Sequence, residues 1–324
     1  MKFLYLTDTH IRGNSPRART DNFSENLAKK LEEVVKLANE IGVEAILHGG
    51  DIFDSPNPTL AVAGTFMDIF QRSQAPIIVI AGNHDLYAYN PATLNRTVLG
   101  FIARLGVLKL INPGERMYFK SPNLTIQLTG QHFYADLDRE EPRRGYIVDK
   151  INCDFAIHMV HGMLLDKNIF PGAAYTLIEH IADLTEADYT LCGHAHQGFS
   201  DSKIGDKYFI NPGAIARLVA LPDEIERKPQ VVLLDFSGPI PLYKKILLET
   251  ALPGEDVLDR THIDAKAFQE EKLASFVQGI KAAGEYEISN LTDIVNNIAG
   301  IKNLPDEVRA EALNRLAAVE ETLN

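Results

Sequence analysis

Five short segments of this chain concentrate side chains that bind metal ions: Asp8-Thr9-His10, Gly49-Gly50-Asp51, Gly82-Asn83-His84-Asp85, Val160-His161-Gly162 and Gly193-His194-Ala195-His196. Each follows an apolar, strand-like run, and the candidate ligands are Asp8, His10, Asp51, Asn83, His161, His194 and His196. Imidazole mixed with carboxylate suits manganese, iron or zinc, whereas calcium and magnesium sites draw on oxygen ligands alone. The set reads as a centre for two divalent ions, with manganese, iron, zinc and magnesium all left open by the ligand types. Two ions about 3.5 to 4 Å apart must share a ligand. Asp51 is the best candidate, because a carboxylate can give one oxygen to each ion and offset part of their repulsion. Asn83 would bind through its amide oxygen without adding negative charge, which keeps the site electrophilic.

The elements that must hold these residues alternate between short apolar runs and amphipathic stretches, the pattern of a layered α/β domain. Phe3 to Thr7, Ala45 to His48 and Pro76 to Ala81 read as strands, each leading into a ligand segment. Asn26 to Ile41 places Leu27, Leu31, Val34, Val35, Ala38 and Ile41 on one helical face, with Gly42 as its left-handed stop. Thr59 to Gln71 and Pro91 to Leu105 read as further helices. The second half is β-rich at Leu124 to Thr129, Phe155 to Val160, Tyr189 to Cys192, Tyr208 to Ile210, Val231 to Phe236 and Leu242 to Leu248. A sheet-on-sheet core flanked by helices is the natural packing. Beyond it, Ala267 to Ala283, Asn290 to Ala299 and Pro305 to Leu323 read as helices. The last carries an apolar stripe of Val308, Ala312, Leu316, Val319 and Leu323.

Composition sets the outer limits. At 324 residues and 45% hydrophobic the chain can bury one large core and carry a smaller appended unit. No apolar run approaches the ~20 residues needed to span a bilayer, and no charged segment followed by an apolar signal region opens the chain. A cytoplasmic protein without a membrane partner is the expectation. Cys153 and Cys192 sit beside strand-like segments and read as small buried hydrophobes in a reducing compartment. The net charge of -12 weighs against a polyanionic partner, but residues 249 to 324 carry 15 acids and 7 bases. The net of -4 left on the first 248 residues is a charge that two divalent cations would cancel. Arg12, Arg17 and Arg19 after the first ligand segment, and Arg139, Arg143 and Arg144 in a polar insertion, could follow a phosphate backbone.

Taken in order, D-x-H, G-D, G-N-H-D, H and G-H-x-H, the five segments resemble the signature of the calcineurin-like metallophosphoesterase superfamily over about residues 1 to 236. The resemblance implies a metallophosphoesterase fold, a two-layer β-sandwich core flanked by helices, with metals held where loops leave the strands' C-terminal ends. It implies Asp8, His10 and His196 on the first ion, Asn83, His161 and His194 on the second, and Asp51 between them. It also implies a catalytic role for His84, pointing at substrate to stabilise charge or protonate the leaving alkoxide, with Asp85 able to hold its ring. Among the other histidines, His48 and His158 read as core or supporting residues and His180 and His262 as surface. His132, at a strand end, is open between a structural place and one near the substrate.

Gly49-Gly50-Asp51-Ile52-Phe53-Asp54-Ser55-Pro56-Asn57-Pro58 further resembles the longer second motif of the SbcD-type nucleases of double-strand-break repair, and Asn211-Pro212-Gly213-Ala214 with Arg217 resembles another of their segments. That resemblance implies a manganese-dependent DNA nuclease, exonuclease or endonuclease, working with an SbcC-like ABC-type ATPase gripped by the C-terminal helices, and a possible homodimer. The expected organisation is a nuclease domain over 1-238, a short β-containing cap or linker over 239-260, and a helical, partner-binding region over 261-324. A stand-alone phosphodiesterase or phosphatase acting on a small molecule is the rival reading. A regulatory subunit with merely structural metals is a third, and the complete ligand set counts against it.

Overall fold

The computed structural model describes residues 1–139, 141, 143–168, 174–261, 295, 298–300 and 305–323, the side chains beyond 315 excepted. The chain divides into a unit of residues Met1–His262 and a second of Ile263–Asn324. In chain order the first unit begins with β1 (Lys2–Leu6), α1 (Phe23–Ile41), β2 (Ala45–His48), α2 (Leu60–Phe70), β3 (Ile77–Val79), α3 (Val98–Arg104) and β4 (Lys109–Leu110). There follow β5 (Met117–Ser121), β6 (Leu124–Gln131), β7 (Phe155–Val160), β8 (Leu164–Leu165), β9 (Thr176–Leu177), α4 (Ile178–Ile181) and β10 (Tyr189–Cys192). β11 (Ser202–Ile204), β12 (Lys207–Ile210), α5 (Pro222–Glu226), β13 (Gln230–Asp235), β14 (Leu242–Leu247) and α6 (Gly254–Val257) complete it, and α7 (Asp306–Leu323) lies in the second unit.

Two six-stranded sheets run in the orders β14-β13-β1-β2-β3-β4 and β11-β12-β10-β7-β6-β5. In the first sheet β1, β2, β3 and the edge strand β4 pair parallel while β13 pairs antiparallel with β1 and β14; in the second β6, β7, β10 and β12 pair parallel and the edge strands β5 and β11 antiparallel. Strand alternation explains the layering. Phe3, Tyr5, Leu47 and Ile78 face Leu128, Ile157, Met159 and Leu191 of the other sheet, whereas Leu4, Leu6, Ile46 and Val79 face the helices. The strands of the first sheet are therefore apolar on both faces, as buried parallel strands must be.

Helix α1 starts where the Asn22 side chain accepts from Glu25 N and stops where Gly42, at φ 67, donates to Ala38 O. Leu27, Leu31, Val34 and Val35 are buried beneath it. Each contributes roughly 1.5–3 kcal/mol, so packing outweighs a cap worth about 1 kcal/mol in holding the helix.

Three expectations change. Pro91 to Leu105 is not one helix: a 3-10 turn over Pro91–Arg96 gives way to α3 because Thr97 adopts extended backbone and caps Gly100 N with its hydroxyl. Strand β5 was not expected; it forms a hairpin with β6, pairing Phe119 with Ile126. Residues 239–260, expected as a cap or linker, supply β14, which pairs with β13 along its whole length as the edge of the first sheet. The expected helices over 267–283 and most of 290–299 lie outside the described residues, as does His262. Helix α7 matches the third to one residue at its start, with Val308 half exposed.

Candidate metal centre

Parallel strands of two stacked sheets end on the same edge, and their following loops converge there. Asp8 and His10 follow β1, Asp51 follows β2, Asn83 and His84 follow β3, His161 follows β7, and His194 and His196 follow β10. The ligand atoms of Asp8, His10, Asp51 and His196 lie within 4.8 Å of one another, as do those of Asp51, His161 and His194. Asn83 joins the second group, its Oδ1 lying 3.1 Å from His161 Nε2. Asp51 belongs to both. Its Oδ1 accepts from His84 N at 2.8 Å, while its Oδ2 is buried without any hydrogen-bond partner, 3.6 Å from His10 Nε2 and 3.3 Å from His161 Nε2.

This geometry fits divalent ions. His10 Nε2 and His196 Nε2 face each other at 3.0 Å, a contact two neutral imidazoles can relieve by sharing a cation. His161 donates from Nδ1 to Gly49 O at 2.8 Å, which leaves Nε2 as the nitrogen that would ligate an ion once the ion displaces its proton. Burial depresses His194 and His196 to about 4, which leaves both neutral and able to ligate. Burial opposes protonation of His161 as well, but Asp51 and Asp8 beside it push it up to about 9. Burial likewise opposes ionisation of Asp51, yet the charge on His161 beside it holds its carboxyl below the usual range. The buried carboxylates thus take up positive charge from the nearest imidazole, the role a cation would fill.

The backbone is bent to make this cluster. Asp8 (φ 55), His10 (φ 45), Asp51 (φ 50) and His194 (φ 74) all occupy the left-handed region, which costs a non-glycine residue about 1–3 kcal/mol. Cross-loop hydrogen bonds hold them: Asp8 N to Gly50 O, His10 N to Asp51 O, Ala216 N to Asp8 O, and His194 N to the Asp8 carboxylate. Glycine at 82 is required by space, since a Cβ there would overlap the Asp51 carboxylate.

His84 is half-buried, with its ring edge-on to His10 at 4.7 Å. Its Nδ1 lies 3.0 Å from Asp54 O, so Nδ1 donates and Nε2 is the nitrogen left for a substrate. Asp85, expected to hold this ring, does something else. Its fully buried carboxylate accepts from Gly82 N, Phe53 N and Ile52 N and ties the β2 and β3 loops together. Burial and the nearby Asp51 raise Asp85 to about 7 against the pull of those three donors.

Sequence reasoning gave no role to Asp54. Its Oδ2 pairs with Arg12 Nη1 at 2.9 Å, its Oδ1 lies 3.5 Å from His10 Nδ1, and its carbonyl holds His84. The signal was its place in Gly50-Asp51-Ile52-Phe53-Asp54. Equally unannounced is a clamp of buried cations on the loop after β12. Lys30 donates to Ile215 O, Arg19 to Arg217 O, and Arg227 to Ala214 O and Ala216 O. That loop in turn pairs Ile215 N with Thr7 O and Ala216 N with Asp8 O, so the clamp sets the Asp8 backbone. Arg19, expected to follow a phosphate backbone, is instead buried and bidentate to Asp21. Arg12 turns to Asp54, and Arg143 pairs with Glu141, while Arg17, Arg139 and Arg144 are exposed.

The remaining histidines are structural. His48 bonds Thr9 and Gly50 N, and His158 bonds Thr129 and Gly145 O. His132 accepts from Ala81 N and faces Asn112 Oδ1, which resolves its open reading toward a buried support. His180 is exposed, Cys192 is buried and Cys153 half-buried, both as free thiols.

Comparison with known proteins agrees with this architecture. Residues 1–237 match the family described as the calcineurin-like phosphoesterase superfamily domain. The DNA double-strand break repair protein Mre11 of Methanosarcina acetivorans is 36% identical over 91 residues, 26% of this chain and 14% of that protein. The Mre11 protein of Methanococcus maripaludis is 21% identical over 319 residues, 90% of this chain and 82% of that one. An SbcCD nuclease subunit of Bacillus subtilis is 34% identical over 101 residues, 29% of this chain and 25% of that protein. The aligned stretch thus spans well under a third of the length of the first and last of these.

Proposed function

This chain belongs to the calcineurin-like phosphoesterase superfamily, and on that premise we propose that it is a manganese-dependent DNA nuclease of the SbcD type. The observation that carries the reading is Asp51, whose buried, unpartnered Oδ2 sits between two donor groups as a bridging carboxylate would. Its relatives, named as double-strand-break repair proteins and as a nuclease subunit, support DNA as the substrate.

Asp8, His10 and His196 would hold one ion and Asn83, His161 and His194 the other, with Asp51 between. When bound, such ions supply charge stabilisation at the phosphoryl oxygens and an activated water. The chain's own residues do the rest. Asp51 and Asp8 lock the His84 and His194 backbones through direct hydrogen bonds. His84, with its Nδ1 proton committed to Asp54 O, turns Nε2 to the leaving oxygen and delivers a proton there once protonated. Arg12, neutralised in part by Asp54, would offer its remaining donors to an approaching phosphate.

The second unit, through α7, would dock an SbcC-like ABC-type ATPase, and a homodimer is part of the same reading. No helix among the described residues is long and apolar enough to cross a membrane, and we place the chain with its DNA in the cytoplasm.

The test is manganese-supplemented hydrolysis of labelled single- and double-stranded DNA alongside bis-p-nitrophenyl phosphate and a monoester. The reading expects DNA degradation that both Asp51→Ala and His84→Ala abolish. Turnover of the small esters with DNA untouched, even with the ATPase partner added, would replace it with a small-molecule phosphodiesterase.

A further inference from the structure

Four residues beyond His84 the backbone does something costly. Ala88 (φ 49, ψ 33) and Tyr89 (φ 59) occupy the left-handed region in succession, without a glycine between them. A dense set of hydrogen bonds enforces this turn. Tyr87 N donates to Thr93 Oγ1 at 3.0 Å, Thr93 Oγ1 donates to Asn90 O at 2.7 Å, Asn90 N donates to Tyr87 O at 3.1 Å, and Ala92 N donates to Asn90 Oδ1 at 3.0 Å. What the turn accomplishes is exposure. Tyr89 remains 55% exposed and Tyr87 40% exposed, although burial of either ring would have been favourable.

Those rings are not scattered. Tyr89 meets Phe133 edge to face with centroids 6.1 Å apart, and Phe133 in turn lies 5.5 Å from the His194 ring and 6.4 Å from that of His161. Phe133 is itself pinned, its N–H donating to Ala81 O, just beyond β3 in the segment that carries Asn83 and His84. The result is a line of aromatic rings from the second ligand group to the surface, built from a strained turn and fixed to the same loop as His84.

From this we propose that Tyr89, backed by Phe133, is a stacking ledge for the nucleobase next to the scissile phosphodiester. The proposal rests on the phosphodiester chemistry above and narrows its substrate class to nucleotides whose base is unstacked: single strands and frayed ends rather than the interior of a duplex. An exposed aromatic face takes any base, because every base presents a π-surface, and it gains nothing from a base already stacked on both sides. A site built for small phosphate esters would have no use for a ring held in the open by backbone strain.

The experiment compares kcat/KM for the p-nitrophenyl ester of thymidine 5′-monophosphate with that for methyl p-nitrophenyl phosphate, which has the same leaving group and no base. The quantity read is the ratio of the two. Tyr89→Ala is expected to lower that ratio about 5- to 100-fold, the range over which loss of one base-aromatic stack acts, and Tyr89→Phe to keep it. A 2-aminopurine base at the end of a single-stranded oligonucleotide should be quenched on binding to the wild-type and Tyr89→Phe proteins and remain bright with Tyr89→Ala. A ratio that Tyr89→Ala leaves unchanged, or two esters that fall together, overturns the ledge. The nuclease reading fails separately: wild-type protein that leaves oligonucleotides intact while favouring the thymidine ester removes DNA as substrate and keeps the ledge as a nucleotide-binding element.

Discussion

At the scale of single residues, adjacency in sequence proved a poor guide to which side chain supports which. Asp85 adjoins His84 yet spends its carboxylate on three backbone donors, while Asp54, thirty positions earlier, holds the His84 ring through its carbonyl and approaches His10 with its side chain. A carboxylate behind a ligating imidazole fixes its tautomer and raises its basicity. Asp54→Ala should therefore weaken manganese binding at the first ligand group by about 10- to 100-fold in calorimetric titration. His84 would stay in place, because its contact is to the Asp54 backbone. Equal affinity in the variant and the wild type would show that the 3.5 Å approach of Asp54 to His10 does nothing for the ion.

Elements act on the site through the clamp on the loop after β12. Helix α1 contributes Lys30, whose burial, with Arg19, Arg217 and Arg227 nearby, pushes its ammonium well below its usual value. Helix α5 contributes Glu224, 1% exposed and paired with Arg227 at 2.7 Å. Removing one partner of a buried ion pair leaves the other charge uncompensated. Arg227→Met is expected to cost about 3–5 kcal/mol in urea unfolding, and the double variant Arg227→Met/Glu224→Gln to recover part of that. A loss below about 1 kcal/mol would mean that water already screens this pair as it does on an open surface. Neither residue stood out in the sequence, and nor did Lys30, since a lone Lys in an amphipathic helix reads as solvated.

For the whole molecule, two outcomes are expected. Burial holds His132 and His158 at about 4 in the folded state, against 6.5 for an unperturbed imidazole. The unfolded chain then binds more protons between pH 6.5 and 4, so stability is full above that window and falls as the pH drops through it. Each residue should account for about 3 kcal/mol across the window, and His158→Gln should flatten the acid limb of metal-free urea unfolding by that amount. An unchanged slope would place the acid sensitivity elsewhere. The division of the chain after His262 yields the other expectation: a protein ending there keeps its cooperative melt and its hydrolysis of bis-p-nitrophenyl phosphate and, under the docking role proposed for the second unit, loses binding to an SbcC-like ATPase. Loss of the melt would make the second unit part of the fold rather than a docking element.

The residues that converge at the candidate centre, the strands that lead into them and the layered α/β core were all legible in the sequence. Metal-binding side chains are rare enough in combination to announce themselves, and apolar runs before loops are a local signal. Strand β5 was missed because Met117 and Phe119 alternate with exposed residues too briefly to stand out, and the break at Thr97 because a capping hydroxyl looks like any other threonine. Only the tertiary structure decided what Asp54 and Asp85 hold, how the cations on the loop after β12 set the Asp8 backbone, and that Tyr89 and Phe133 share a line of rings with His194. Those facts depend on parallel pairing in two stacked sheets, which brings together residues far apart in the chain, and on side-chain directions that left-handed backbone at Asp8, His10, Asp51 and Tyr89 sets only once the neighbouring loops hold it there.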